Sequence, residues 1–146
     1  MDRASLLDKI RTDLAHWILQ WEQGPEDRHY MSIDPGHVVS VSEYLFNERQ
    51  GRFAIASGVD TPQGIEILYH FCFDLQGCVV SVRALTDRHA PQIDSISSVI
   101  PGAAWIEREI HDILGVEFLG HPNLKRLILA DDWPEGVYPL RRDYKP

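Results

Sequence analysis

From Leu6 onward, apolar residues recur at helical intervals. Leu6, Leu7, Ile10, Leu14, Trp17, Ile18 and Trp21 fall on one stripe with a period of about 3.6 residues. The spacing predicts a first helix capped by Ser5 and ended by Gly24-Pro25. Weak alternation over 29–33 predicts a short strand closed by Asp34-Pro35-Gly36. A second helix is expected over 38–50, with Val41, Tyr44 and Leu45 on its apolar side and Gly51 as its stop.

Three strand patterns follow, at 52–59, 65–75 and 78–85. In the middle one, Ile65, Ile67, Tyr69, Phe71 and Phe73 share one face. Gln76-Gly77 is so short a link that the strands it joins must run antiparallel. A short helical stretch is expected over 93–99, stopped by Pro101-Gly102. The next helix is Ala103–Leu114, with Ile106, Ile110 and Ile113 in a narrow arc and Gly115 as its C-terminal stop. From Val116 to the end periodicity fades, yet Phe118, Leu119, Leu127, Ile128, Leu129 and Trp133 make the segment too apolar for disorder, so it must lie against something. Helices before, between and after such strands give an α+β, two-layer domain with helices packed on a mostly antiparallel sheet. A ferredoxin-like order is one compatible form. The pattern divides the chain into a single domain over 1–132 and an extended C-terminal segment over 133–146, where Pro134 and Pro139 disfavour helix.

Composition narrows the function. A net charge of −8 argues against general nucleic-acid binding, which depends on Lys and Arg neutralising phosphates. No apolar run approaches the roughly 20 residues that span a bilayer, and the first ten residues carry acids where a signal peptide has its apolar stretch. Contact with a membrane is therefore expected only through a partner. Cys72 and Cys78 are the only cysteines, too few for a cubane cluster. Within apolar strands they read as small buried hydrophobes.

The densest polar cluster is 105–112, where Arg108 and Asp112, and likewise Glu107 and His111, stand four residues apart. Such a cluster is ordinarily a solvated, ion-paired helix face. The chemical alternative is a free-standing metal-dependent enzyme using His111, Asp112 and His121, although no HExxH spacing is present. A ligand-binding α+β module is a further alternative. There is no GxSxG, no GxxxxGK[ST] and no GxGxxG, so nucleophile elbow, phosphate cradle and dinucleotide fingerprint are all missing. Trp105 and Trp133 sit among polar residues, where large aromatics anchor interfaces.

Glu107-Arg108-Glu109, Asp112, Ile113-Leu114, His121, Lys125 and Leu127-Ile128 stand in an order and spacing that resemble the signature of the complex I thirty-kilodalton subunit family. Trp105, Gly115, Phe118, Gly120, Pro122 and Arg126 lie within this segment, and Pro139-Leu140-Arg141-Arg142-Asp143 matches its close. Two features depart from the complex I form. His111 stands where an aromatic residue is usual. The stretch Trp133-Pro134-Glu135-Gly136-Val137-Tyr138 looks more like the form in energy-converting hydrogenases and formate hydrogenlyase. The resemblance implies a non-catalytic subunit holding no cofactor, in the peripheral arm of an NADH:quinone oxidoreductase or hydrogenase complex at the cytoplasmic face of the membrane. Its partners would be a large subunit of nickel–iron hydrogenase type and neighbouring iron–sulfur subunits, which carry the clusters and the flavin or nickel–iron site. Under that reading the signature residues serve partner contact, Arg108 and Glu109 matter more for assembly than for folding, and 133–146 is a docking tail, mobile until bound.

Overall fold

The computed structural model describes residues 1–146. Helix α1 (Arg3–Asp13) leads into a hairpin of β1 (Ile18–Gln23) and β2 (Arg28–Ile33). A 3-10 turn at Pro35–His37 opens α2 (Val38–Glu43), which runs on through a wider π-type turn at Tyr44–Glu48. Then come β3 (Arg52–Thr61), β4 (Gly64–Phe73), β5 (Cys78–Thr86), a short β6 (Gln92–Asp94), α3 (Ala103–Leu114) and a short β7 (Glu117–Leu119). The chain is irregular from there to Pro146.

The main sheet has the order β1-β2-β5-β4-β3, antiparallel except where β2 lies parallel to β5. With five strands and β5 between β2 and β4, it departs from the four-stranded ferredoxin-like alternative. β6 and β7 pair in parallel as a separate ribbon, Ile93 opposite Phe118. Alternation sets the layers. Ile65, Ile67, Tyr69, Phe71 and Phe73 of β4, with Val80, Val82 and Ala84 of β5, are buried against the helices. Cys78 joins this core, where burial raises its thiol pKa. Leu6 and Ile10 of α1, Val38 and Val41 of α2, and Ile110 and Leu114 of α3 complete it. Gly58 of β3 is where α3 comes closest: a Cβ there would lie 2.5 Å from Leu114 Cδ1 and 3.2 Å from Ile110 Cγ2.

Three local expectations are corrected. The cap of α1 is Asp2, whose carboxylate accepts the Ser5 N–H at 2.8 Å; Ser5 is the third residue of the helix. The helix also stops at Asp13. Residues 18–23 form β1, with Trp21 opposite Met31, because pairing with β2 outweighs the helical spacing, and an irregularity between Ile18 and Gln20 brings Ile18 and Trp21 to one face. Finally, 93–99 is a strand end and a loop, since Glu107 takes the Ile96 N–H at 2.9 Å.

Candidate functional site

α3 organises the C-terminal third of the chain. Its buried stripe is Ala103, Glu107, Ile110 and Leu114, with Ile106 and Ile113 packed at its margins. One member of that stripe is a carboxylate, 0 % exposed. Glu107 accepts the Ser95 hydroxyl at 2.6 Å and the Ile96 N–H at 2.9 Å, so a buried acid fixes the 95–97 loop. Burial raises its pKa, and the Ser95 and Ile96 hydrogen bonds with nearby His121 offset part of that rise. The expected solvated face is therefore half internal, and Glu107 is partnered by the 95–97 loop where the four-residue spacing pointed to His111.

Arg108 and Asp112 do not pair with each other either; both hold the segment that follows β7. Arg108 donates from Nε to the Lys125 carbonyl at 3.0 Å and from Nη2 to the Arg126 carbonyl at 2.8 Å. Asp112 Oδ2 accepts the N–H groups of Leu127, Ile128 and Leu129 at 2.7, 2.8 and 3.2 Å. Arg126 in turn donates to the carbonyls of Ala130 and Asp131. One turn of helix thus pins 125–129 by its acceptors and its donors together, so Arg108 has a structural duty that the sequence did not disclose. Burial alone would raise the Asp112 pKa, but the three backbone donors outweigh it and leave the carboxyl below its ordinary value of 3.8. A carboxyl depressed by folding stabilises above its unfolded pKa, and that support is lost as pH falls through the folded value. Acid titration followed by amide NMR should therefore release Leu127 and Ile128 with a midpoint below 3.8. A midpoint at or above that value would mean that Asp112 does not hold the loop.

The histidines of the metal-enzyme alternative are engaged elsewhere. His111 Nδ1 meets the Val116 carbonyl at 2.8 Å. His121 accepts the Asn123 N–H on Nδ1 and donates from Nε2 to the Ala104 carbonyl, tying the β7 exit to the start of α3. Asp112 has its three amides. No three His, Cys, Asp or Glu side chains come together in a metal-holding group, so His111, Asp112 and His121 do not form a ligand set.

Residues 133–146 run back over the body. Leu140 N–H donates to the Ile113 carbonyl at 3.1 Å, and Arg141 Nε to the Leu114 carbonyl at 2.7 Å, satisfying the last turn of α3. Arg141 also lies over the Tyr138 ring, 4.8 Å from its centroid. The Arg142 N–H reaches the Asp60 carboxylate at 2.8 Å, and Asp60 is paired with Arg88 at 2.6 Å. Gly115 ends α3 as expected, with φ +77, and its Cα faces Tyr138 and Arg141 at close range. Trp133 donates from its indole to the Val137 carbonyl and packs near Tyr144. Phe118 is buried opposite Ile93, while Gly120 turns the chain at φ +80 ahead of exposed Pro122. Pro139 is half-buried and Asp143 exposed.

A second group of residues points outward. Trp105 is 61 % exposed and lies over the Arg108 guanidinium, and Ile128 is 58 % exposed on the pinned loop. Leu127 and Leu140 are exposed as well. An apolar groove of about 460 Å³ runs between α3 and β3, lined by Phe53, Ile55, Trp105, Ile106 and Leu127, with Arg52 and Glu109 among its polar members. The sequence marked Trp105 and Leu127 through the signature. Nothing in it marked Ile55, which reaches the groove by way of a bulge between Phe53 and Ile55.

A family model described as respiratory-chain NADH dehydrogenase, 30 Kd subunit, matches residues 31–146. A subunit of the NADH-quinone oxidoreductase of Chelativorans sp. (strain BNC1) is 40% identical over 143 residues, covering 94% of this chain and 68% of that protein. Hydrogenase-4 component G of Escherichia coli (strain K12) is 30% identical over 144 residues, covering 95% of this chain; the chain spans only 26% of that longer protein. Among solved structures, a chain of the membrane-bound sulfane sulfur reductase, an archaeal respiratory membrane complex, superposes with a TM-score of 0.78 at 22% identity, over 97% of this chain and 85% of that one. At that identity the likeness speaks to the fold.

Proposed function

The chain belongs to the respiratory-chain NADH dehydrogenase 30 kDa subunit family, and from that membership we propose that it is a non-catalytic peripheral subunit that docks onto the large, nickel–iron-hydrogenase-like subunit of a membrane-associated oxidoreductase. The complex is of the NADH:quinone oxidoreductase or energy-converting hydrogenase type, at the cytoplasmic face, and its clusters reside in neighbouring subunits. No helix of this chain is long and apolar enough to cross a membrane; on the proposed reading its partners provide the attachment. A relative nearly four times the length of the matched region is named as a hydrogenase component, which agrees with a place in a multi-subunit complex.

The observation that carries this reading is the rigid display of apolar side chains. Arg108 and Asp112 fix five consecutive residues through five hydrogen bonds, yet Leu127 and Ile128 on that loop face solvent, as does Trp105 on the helix that pins it. Ordering an exposed apolar patch in advance lowers the entropy lost on association, and contiguous exposed patches mark interaction sites. On this reading the segment 133–146 is a docking tail, presenting exposed Leu140 while Arg141 and Arg142 hold its base. Replacing Ile128 with Asp should leave the melting temperature within about 2 °C and reduce recovery of the co-expressed large subunit by about tenfold or more. Undiminished recovery with this variant would remove the patch from the interface.

A further inference from the structure

The groove between α3 and β3 is apolar at every depth. Ile100 is buried, Phe53 and Ile106 are half-buried, and Trp105, Leu127 and Ile55, the last 50 % exposed, stand open to solvent. Two of the open side chains are held in place by signature residues. Arg108 lies over the Trp105 ring, 5.1 Å from its centroid, while its Nε and Nη2 are bound to the carbonyls of Lys125 and Arg126. Asp112 takes the Leu127 N–H at 2.7 Å. The groove therefore has its shape before anything enters it, which lowers the entropy lost on association.

Two charged side chains also line the groove, and their situations differ. Arg52 is committed within the chain: its Nε and Nη2 reach the two carboxylate oxygens of Asp74 at 2.9 and 3.0 Å. Glu109 is half-buried and enters no ion pair. A carboxylate beside apolar walls, with no cation of its own, is complementary to a cation from elsewhere.

We infer that this groove receives bulky apolar side chains of the large subunit, together with a Lys or Arg of that subunit that pairs with Glu109. The inference rests on the docking reading above and specifies where the partner is gripped and by what chemistry. Two other occupants fit less well. Small-ligand sites carry several convergent polar groups, whereas Glu109 is the one charge here left free. A second copy of the chain brings a further net charge of −8, and a two-fold contact through the groove would place both Glu109 side chains in one interface. The large subunit meets the requirement with a cation set beside an apolar anchor, the pairing that gives an interface both its centre and its register.

Carboxyl labelling with a water-soluble carbodiimide and glycine ethyl ester, read by mass spectrometry, tests the inference on the chain alone and on its complex with the co-expressed large subunit. Glu109 should take the label in the free chain and lose it in the complex. Ile55→Asp and Glu109→Lys should each weaken association about tenfold while the melting temperature stays within about 2 °C. Added salt should weaken the wild-type complex more than that of Glu109→Gln, because screening acts on the pair that the variant lacks. If Ile128→Asp still breaks the complex but both groove variants bind as the wild type does and Glu109 stays labelled, the groove inference is overturned and the docking reading stands. If no complex forms with the wild-type chain, the docking reading fails and takes this one with it. Protection of Glu109 in a self-associated chain without the large subunit would assign the groove to a second copy and overturn the choice of partner.

Discussion

Replacing Glu107 with alanine should destabilise the chain by about 3 to 5 kcal/mol, the range for breaking a buried charged hydrogen-bond network. The side chain is 0 % exposed, so truncation leaves a cavity beneath α3, orphans the Ile96 N–H and leaves the Ser95 hydroxyl with Ser97 alone. In a domain of this size the loss corresponds to a fall in melting temperature of about 10 to 15 °C, readable by circular dichroism. Glu107→Gln is the informative control. Its carbonyl oxygen accepts from Ile96 and its amide donates to Ser95, so both partners stay satisfied without a buried charge; a change within about 1 kcal/mol is expected. The two variants also differ in pH response. Burial raises the Glu107 pKa above 4.5, so its contribution is fully present below that ordinary value and declines as pH rises through the folded one. The wild-type chain should lose stability over that window relative to Glu107→Gln. If alanine is tolerated within about 1 kcal/mol, the 95–97 loop does not depend on the acid.

That acid also marks the limit of what the sequence discloses. α3 was legible to the residue, because Pro101-Gly102 and Gly115 bracket it and Ile110 lies on the expected face. The face itself was not. Reading Ala103, Glu107, Ile110 and Leu114 as one stripe requires a carboxylate in the core, which polarity alone rejects. β4 and β5 were legible because strict alternation over eight or more residues has no competing interpretation. At 18–23 and 93–99 apolar residues three apart fit a helix, and pairing decides against it: the hairpin with β2, irregular between Ile18 and Gln20, in one case, and β7 and Glu107, farther along the chain, in the other. Pairing with β7 and Glu107 leaves no local trace.

The signature residues illustrate the same division. Their spacing disclosed family membership, and their geometry discloses what that spacing accomplishes. Arg108 and Asp112 are four residues apart so that two successive turns of α3 reach the carbonyls of 125 and 126 and the amides of 127–129. His121 stands where its ring bridges the Ala104 carbonyl and the Asn123 N–H. A signature read as surface chemistry is largely a scaffold. The side chains it leaves exposed are Trp105, Leu127 and Ile128.

Gly115→Ala should detach the C-terminal segment while leaving the sheet intact. A Cβ at this position would lie 2.5 Å from Tyr138 Cε2, 2.6 Å from Cζ and 2.8 Å from Arg141 Nη2, distances that force both side chains to move. Moving Arg141 breaks its 2.7 Å bond to the Leu114 carbonyl and removes its cation from the Tyr138 ring. A hydrogen bond to a charged group contributes about 1.5 to 3 kcal/mol, and alanine at φ +77 adds backbone strain of about 1 kcal/mol. The amides of Leu140 and Arg142, bound to the Ile113 carbonyl and the Asp60 carboxylate, should then exchange about 60- to 700-fold faster, since each 1.4 kcal/mol is about tenfold. Gly136→Ala separates strain from collision: its φ is +75, but a Cβ there meets nothing within 4 Å. That variant should accelerate the same amides only a few-fold. Equal behaviour of the two would mean that Tyr138 and Arg141 do not clasp α3, and that the segment is held, if at all, only by what it binds.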